Sequence, residues 1–522
     1  MGEQQAGNEE KMKKLPIGIQ TFRTIIEEKF AYVDKTGVAS HLIDNGRNYF
    51  LSRPRRFGKS LFLDTLAEIF KGSKELFEGL YIHNKWDWKT KYPVIRISFG
   101  QGNFSSADGI EKRIGDILEL NCEAHDIEYK DGLTLAKLIR KLNHKFSQQV
   151  VILIDEYDKP ILDNITDVER ATVARSVLRD FYGSIKECDE YIRFVFITGV
   201  SKFSKMNLFS GLNNLEDITI DTTYATITGY TQHDLETVFA EHLKGADMEM
   251  VKKWYNGYNY FGDPLYNPFD ILLFISKKHE FRCYWWETGN PAFLIEKLKE
   301  QKFYVPNLEN LVVSEKTLNC FDVEKIDLIA LLWQTGYLTF AEKIPAMGVM
   351  YYRMCVPNME VRTSLGELFL QYLSDINGDA AVTAVAATNA LIEGNLQQLE
   401  KILRSLFAAI PYTNYTNNII ANYEGYYSSV IYTFFTALGF DIIAEDITNK
   451  GRIDLTIKTD DSIYIIEFKV DRDEPAIHQI KERSYCDKYI SENKRIFMIG
   501  INFSSEEKNI TDFQWERVAI NT

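Results

Sequence analysis

The stretch Tyr49-Phe-Leu-Ser-Arg-Pro-Arg-Arg-Phe-Gly-Lys-Ser-Leu-Phe-Leu63 decides how this chain is read. Tyr49 to Leu51 form the short apolar run of a buried strand, and Leu61, Phe62, Leu63, Leu66, Ala67 and Ile69 recur at helical spacing. Between them lies a turn carrying Gly58-Lys59-Ser60. Strand, loop and helix are the setting in which a Walker A motif has physical meaning. Gly58 lets the backbone approach a phosphate, and the N–H groups of the turn and of the helix start, through Leu61, hold the anion. Lys59 reaches the β- and γ-phosphates, and the Ser60 hydroxyl ligates Mg²⁺. The match to G-x-x-x-x-G-K-[ST] is incomplete. Arg53 stands at the first glycine, and the Pro54 that follows has no N–H to donate. Arg55 and Arg56 are expected to supply positive charge in place of that amide cradle. Alone, the motif reads equally well as a chance Gly-Lys-Ser in a turn.

A second stretch shifts that balance. Gln149-Val-Val-Ile-Leu-Ile-Asp-Glu-Tyr-Asp158 is a continuous apolar strand ending in acids, about a hundred residues further on. It has the form of a Walker B strand, in which Asp155 holds the metal and Glu156 polarises the attacking water. Tyr191-Ile-Arg-Phe-Val-Phe-Ile-Thr198 is another buried strand. Its polar end, Thr198-Gly-Val-Ser201, falls where ligands bind in such sheets. Thr198 or Ser201 could sense a γ-phosphate or orient water, and a cap or turn role for either is as open. Strand-like Pro93–Phe99 and helical patterns at Ile110–Leu120, Leu133–Phe146 and Val168–Lys186 complete an alternation that predicts a mainly parallel sheet.

At 522 residues the chain is long enough for two to four domains. Charged residues at 26% and hydrophobic ones at 45% are ordinary for a soluble globular protein. The formal charge of −14 argues against broad sequence-independent binding to nucleic acid, while leaving room for a local basic groove. Six scattered cysteines without a C-x-x-C read as reduced core thiols, which makes zinc an unsuitable expectation. Residues 1–14 are polar, with no signal peptide or lipidation pattern, and no run reaches membrane-spanning length. The expected location is cytoplasmic.

Leu15–Thr36, with an extended piece at Tyr32–Lys35, reads as packing beside the nucleotide strand. From Tyr230 to about Leu403 the pattern is helical, and the aromatic turns Trp254–Tyr258 and Tyr266–Phe269 read as packing. An apolar helix at Ile326–Gln334 precedes extended runs at Gly336–Phe340 and Tyr351–Val356, and Pro357-Asn358 opens another helix. That order suits a winged-helix-like element, read as one that transmits nucleotide state because nothing basic marks its hairpin.

The last hundred residues carry a second constellation. A helix over Asn422–Leu438 is followed by extended Phe440–Ile447, a turn at Gly451-Arg452, and strands at Ile453–Thr459 and Ser462–Val470. A helix over Pro475–Tyr489 and a strand over Arg495–Phe503 complete an αβββαβ order. The strand period of two puts Glu467 and Lys469 on one face, where Asp454 can converge from the neighbouring strand. Two carboxylates at close range form a hard-oxygen site for Mg²⁺, which activates water against a phosphodiester, while Lys469 orients the nucleophile. Glu424 is a further ligand or base candidate, and Gln479 a candidate to orient a ligand or Lys469. The bland alternative is a solvated Glu-x-Lys ion pair of little consequence.

With both constellations in place, the chain resembles the bacterial AAA-ATPase-like proteins that carry a C-terminal PD-(D/E)XK nuclease-superfamily domain. The likeness rests on Leu51–Ser60, Ile152–Asp158, Phe196–Ser204, Gly211–Asp217, Gly451–Asp454, Ile466–Lys469 and Ala476–Ile480, and spans nearly the whole chain. The Arg-Pro-Arg-Arg-Phe-Gly-Lys-Ser form is typical of that family. The resemblance implies an α/β chain. Its P-loop NTPase (AAA/ASCE-like) parallel sheet occupies residues 15–225, a helical and winged-helix-like region 226–410, and a restriction-endonuclease-like domain 411–522. It further implies ATP and Mg²⁺ as cofactors. Lys59, Ser60, Asp155 and Glu156 take the nucleotide roles, and Glu424, Asp454, Glu467 and Lys469 the nuclease roles. Ile453 stands where the motif has proline. The expected function is an ATP-binding, ATP-hydrolysing protein controlling a nuclease that acts on DNA, with defence against foreign DNA as a setting and homo-oligomers as one form. The alternative is a nucleotide-dependent signalling or scaffold protein whose nuclease-like domain binds without cutting.

Overall fold

The computed structural model describes residues 12–202, 214–285, 308, 311–318, 321–322, 324–374, 380–410 and 424–518. Most of the polar tail at residues 1–14, and Phe203-Ser204, Gly211–Asn213 and Asn422-Tyr423 of the stretches quoted above, lie outside the described residues. The chain divides into two compact units, Met1–Trp285 with Val313–Tyr352, and Trp286–Val312 with Arg353–Thr522.

The first unit is built on strands β1 (Asn48–Ser52), β2 (Val94–Ser98), β3 (Val150–Asp155), β4 (Ile192–Gly199) and β5 (Glu216–Asp217). Their order is β2-β3-β4-β1-β5, with every pairing parallel. The strands read as unbroken apolar runs because helices cover both faces, and Val151, Ile152, Leu153 and Ile154 are wholly buried. Leu63, Leu66 and Phe70 of the helix Lys59–Lys71 pack on Val151, Leu153, Phe194 and Phe196. The helix Val168–Lys186 starts at Asp167, whose carboxylate accepts the Arg170 N–H and so satisfies an otherwise orphaned donor. Parallel strands bring the ends of β1, β3 and β4 to one edge, with β4 between the other two.

The alternation read from the sequence is present. One element was not foreseen: Tyr32–Lys35 is irregular and leads into a helix at Thr36–Asn45. Its start is fixed by Asp34, whose carboxylate accepts both the N–H and the hydroxyl of Thr36. Further along, helices Gln232–Val238, Met248–Tyr255 and Pro268–Ser276 share a second core around Phe239, Tyr255, Ile271 and Phe274. The helix Leu328–Thr335 is capped by Asp327 and followed by a hairpin of β6 (Thr339–Ala346) and β7 (Val349–Cys355), within which the division between units falls.

In the second unit the helices Met359–Ser374 and Glu424–Ala437 pack at Gly366, where an added Cβ would lie 2.5 Å from the Ala437 nitrogen. The sheet runs in sequence order: β8 (Asp441–Thr448), β9 (Gly451–Lys458), β10 (Ser462–Val470), β11 (Arg495–Ser504) and β12 (Asn509–Arg517). Only β10 and β11 are parallel, and the helical crossover Ile477–Glu482 joins them. Three details differ from the sequence reading. Gly451-Arg452 opens β9, and the turn falls on Asn449-Lys450. The single helix expected over Pro475–Tyr489 breaks at Ser484, which adopts φ 50°, and continues as a 3₁₀ segment, Tyr485–Glu492. The added edge strand β12 escaped notice because only Ile510 and Phe513 are buried along a polar segment.

Candidate functional site

The loop after β1 reaches its helix through Gly58, whose φ of 87° lies in the region that favours glycine. Lys59 is only 7% exposed, and its ammonium donates to the carbonyls of Arg53 (2.9 Å) and Pro54 (2.8 Å). The lysine therefore lies back across its own loop. Burial pushes its pKa down to about 8, opposed by the charges of Asp155, Asp158 and Glu156. Ser60 and Leu61 are half-buried at the helix start, whereas Arg55 and Arg56 are exposed. Arg56 places its guanidinium 4.6 Å from the centre of the Phe269 ring.

At the end of β3, Asp155 Oδ1 accepts the Thr198 hydroxyl (2.7 Å) and the Glu156 N–H (3.1 Å). The acid expected to hold metal and the hydroxyl expected to sense phosphate are thus joined across adjacent strands. Glu156 sits at φ 51°. Its carboxyl is pushed up by burial and by Asp155, with Lys59 pulling the other way. Ser201 is placed differently. Its hydroxyl (2.5 Å) and N–H (2.6 Å) both donate to the buried carboxylate of Asp158, which also takes the Val200 N–H. Asp158 closes the quoted strand-end motif, yet periodicity gave no hint that it would bind the end of β4. Beside the helix start, Tyr32, Val33, Gly58, Leu61, Thr228 and Tyr230 are among the residues lining a pocket.

In the second unit the β9–β10 ladder places Leu455 opposite Ile466, so Asp454 and Glu467 follow where the ladder opens. Asp454 accepts the Phe468 N–H (2.8 Å). Burial pushes its carboxyl up, while the Phe468 N–H and a side-chain hydrogen bond with Glu467 act to lower it. Glu467 is 1% exposed and accepts a hydrogen bond from the Gln479 amide at 2.8 Å. Lys469 donates to Glu474 at 3.0 Å. Asp454, Lys469, Glu474, Gln479, Arg452 and Tyr485 are among the residues lining one cleft of about 370 Å³. Sequence reading passed over Glu474, although it closes an acidic run just beyond β10. Glu424 is the first residue of its helix, and its side chain lies outside the described residues.

Among the described residues no group of three or more His, Cys, Asp or Glu side chains is arranged to hold a metal. The donor set of Asp454 and Glu467 nonetheless fits a divalent cation. Buried Glu467 and Asp454 lie on neighbouring strands where the ladder opens, and carboxylate oxygens are the ligands that a hard divalent cation takes. Ser60 and Asp155 offer a hydroxyl and a carboxylate of the same character. Among the described residues no helix is long and apolar enough to cross a membrane.

Two segments of the chain match models of known families. Residues 16–209 match the family model described as a predicted AAA-ATPase, and residues 422–513 match that of the PD-(D/E)XK nuclease superfamily. The chain belongs to the AAA-ATPase-like proteins with a C-terminal PD-(D/E)XK nuclease-superfamily domain. Among its relatives is an uncharacterized protein from the vnfD 5' region of Azotobacter chroococcum mcd 1. The two are 45% identical over 509 residues, covering 96% of this chain and 98% of that one.

Proposed function

We propose that this protein binds and hydrolyses ATP, and that nucleotide state controls hydrolysis of DNA phosphodiesters by its C-terminal domain. The observation that carries the nuclease half is the placing of Asp454 and buried Glu467 on neighbouring strands at the β9–β10 opening, with Gln479 on Glu467 and Lys469 in the cleft beside Asp454. The nucleotide half rests on buried Lys59 held near the acids that end β3.

Lys59 leaves the loop carbonyls for the β- and γ-phosphates, joined by the N–H groups from Gly58 to Leu61 and by the charges of Arg55 and Arg56. Glu156 orients the attacking water, and Thr198 holds Asp155 in place. Ser201 acts through Asp158. The pocket at Tyr32 and Tyr230 takes the nucleoside. In the second centre Asp454 and Glu467 hold the cation, Gln479 fixes the Glu467 carboxylate, Lys469 positions the nucleophile, and Glu424 adds a ligand or base. Mg²⁺, when bound, supplies charge neutralisation at the phosphates and activation of water. The modules are residues 15–225, 226–410 and 411–522, the protein works in the cytoplasm, and the setting is defence against foreign DNA.

The test is cleavage of plasmid DNA by purified protein with Mg²⁺, with and without ATP. Cutting that changes with ATP and disappears in Lys469→Ala is expected. Unchanged cutting by Lys469→Ala removes the nuclease assignment. The Lys469–Glu474 ion pair favours one second reading, a nucleotide-dependent binder that does not cut. Retention of DNA without cleavage under every nucleotide condition would select it.

A further inference from the structure

The aromatic turns of the helical segment, which the functional reading leaves unused, lie against the phosphate loop. Phe57 at the loop's crest meets Tyr258 edge-on at 4.9 Å and Tyr260 at 6.4 Å, and Arg56 lies over Phe269. Arg53, at the position where the motif calls for glycine, is 1% exposed. Its guanidinium stacks 3.5 Å from the centre of the Tyr260 ring. It also donates to the carbonyls of Ser52 (3.0 Å), Thr219 (2.6 Å) and Ala225 (3.5 Å). The Arg53 N–H donates to Gly199 at the end of β4, and its carbonyl receives Lys59.

A guanidinium buried to this extent is costly unless its donors and its face are engaged. Here the two terminal nitrogens are engaged by backbone carbonyls and the face by an aromatic ring, partners to which a planar cation is suited and a lysine is not, while Nε is buried without a hydrogen-bond partner. A glycine would make none of these contacts. We propose that Arg53 is a positioning residue of the nucleotide site: moored on Tyr260 and the Thr219 carbonyl, it holds the front of the phosphate loop in its binding shape. It thereby braces a loop front in which the first glycine is absent and Pro54 has no N–H. This proposal rests on the nucleotide-binding reading given above.

The experiment compares Arg53→Gly, Arg53→Lys, Tyr260→Ala and Tyr260→Phe in the full chain. Amide exchange across residues 55–60 is measured without nucleotide, and the Kd for a fluorescent ATP analogue is measured with Mg²⁺. Arg53→Gly restores the ordinary glycine, yet it is expected to speed loop exchange and weaken binding, each about tenfold. Arg53→Lys and Tyr260→Ala should follow it, and Tyr260→Phe should retain both properties. Wild-type exchange and affinity in Arg53→Gly overturn the proposal, as does a lowered Tm with neither property changed. If Arg53→Gly does not fold, the contrast between Tyr260→Ala and Tyr260→Phe decides. A wild-type protein that binds no ATP refutes the nucleotide reading, while loop exchange still decides the mooring.

Discussion

Lys59 rests on two carbonyls of its own loop, so an arriving phosphate has to draw it from hydrogen bonds already made. Replacing it with alanine should weaken ATP binding by tenfold or more, roughly the loss of one charge-assisted hydrogen bond. Titration calorimetry with Mg²⁺-ATP measures this, and an unchanged Kd would place the phosphates elsewhere. Thr198→Val removes the hydroxyl on Asp155 and should cost about 1 kcal/mol of stability. It should lower turnover more than affinity, as steady-state kinetics on the variant would show. Lys59, Asp155, Thr198, Asp454 and Glu467 stand out in the sequence as candidates because each sits at a strand end or in a short motif whose spacing has a mechanical reason. The burial of Arg53 and the partners of Asp158 and Glu474 were not. Those depend on where residues far along the chain, such as Tyr260 and Ser201, return in space.

Between elements, Lys202 and Asp217 tie the end of β4 to that of β5 through a 2.6 Å ion pair that is nearly buried. Burial tends to raise the Asp217 pKa, but Lys202 and Thr219 outweigh it and hold the carboxyl below its ordinary value. A carboxylate with a lowered folded pKa stabilises at pH above its unfolded value, and that contribution fades as pH falls through the folded one. Lys202→Met leaves the acid buried without its cation and should cost about 3 kcal/mol at neutral pH. The deficit should shrink below about pH 4, where the acid protonates. Chemical denaturation at pH 7 and pH 3.5 reads both, and a deficit independent of pH would contradict the pairing. The helix Val168–Lys186 and strands β3 and β4 were plain from periodicity, since long apolar patterns leave little choice. Periodicity misses what a single dihedral decides, as at Ser484, or what an edge position conceals, as in β12.

At the scale of the molecule, the chain carries two compact units and two sets of acids with a lysine, one in each. Their existence could be read from the sequence because each set is local, strand and loop together. The order of the parallel sheet could not, since β4 enters between β1 and β3 from far along the chain. Control of one centre by the other predicts that Lys59→Ala, with the C-terminal acids intact, alters the ATP response of DNA cutting while leaving nucleotide-free cutting unchanged. The central claim is that each unit holds its own divalent cation. An anomalous difference map from crystals grown with Mn²⁺ and a nonhydrolysable ATP analogue tests it most directly. The account predicts one peak between Asp454 and Glu467 and another at Ser60 and Asp155 beside the phosphates. A map with no peak at the Asp454–Glu467 pair, at Mn²⁺ concentrations that fill the nucleotide site, would contradict it.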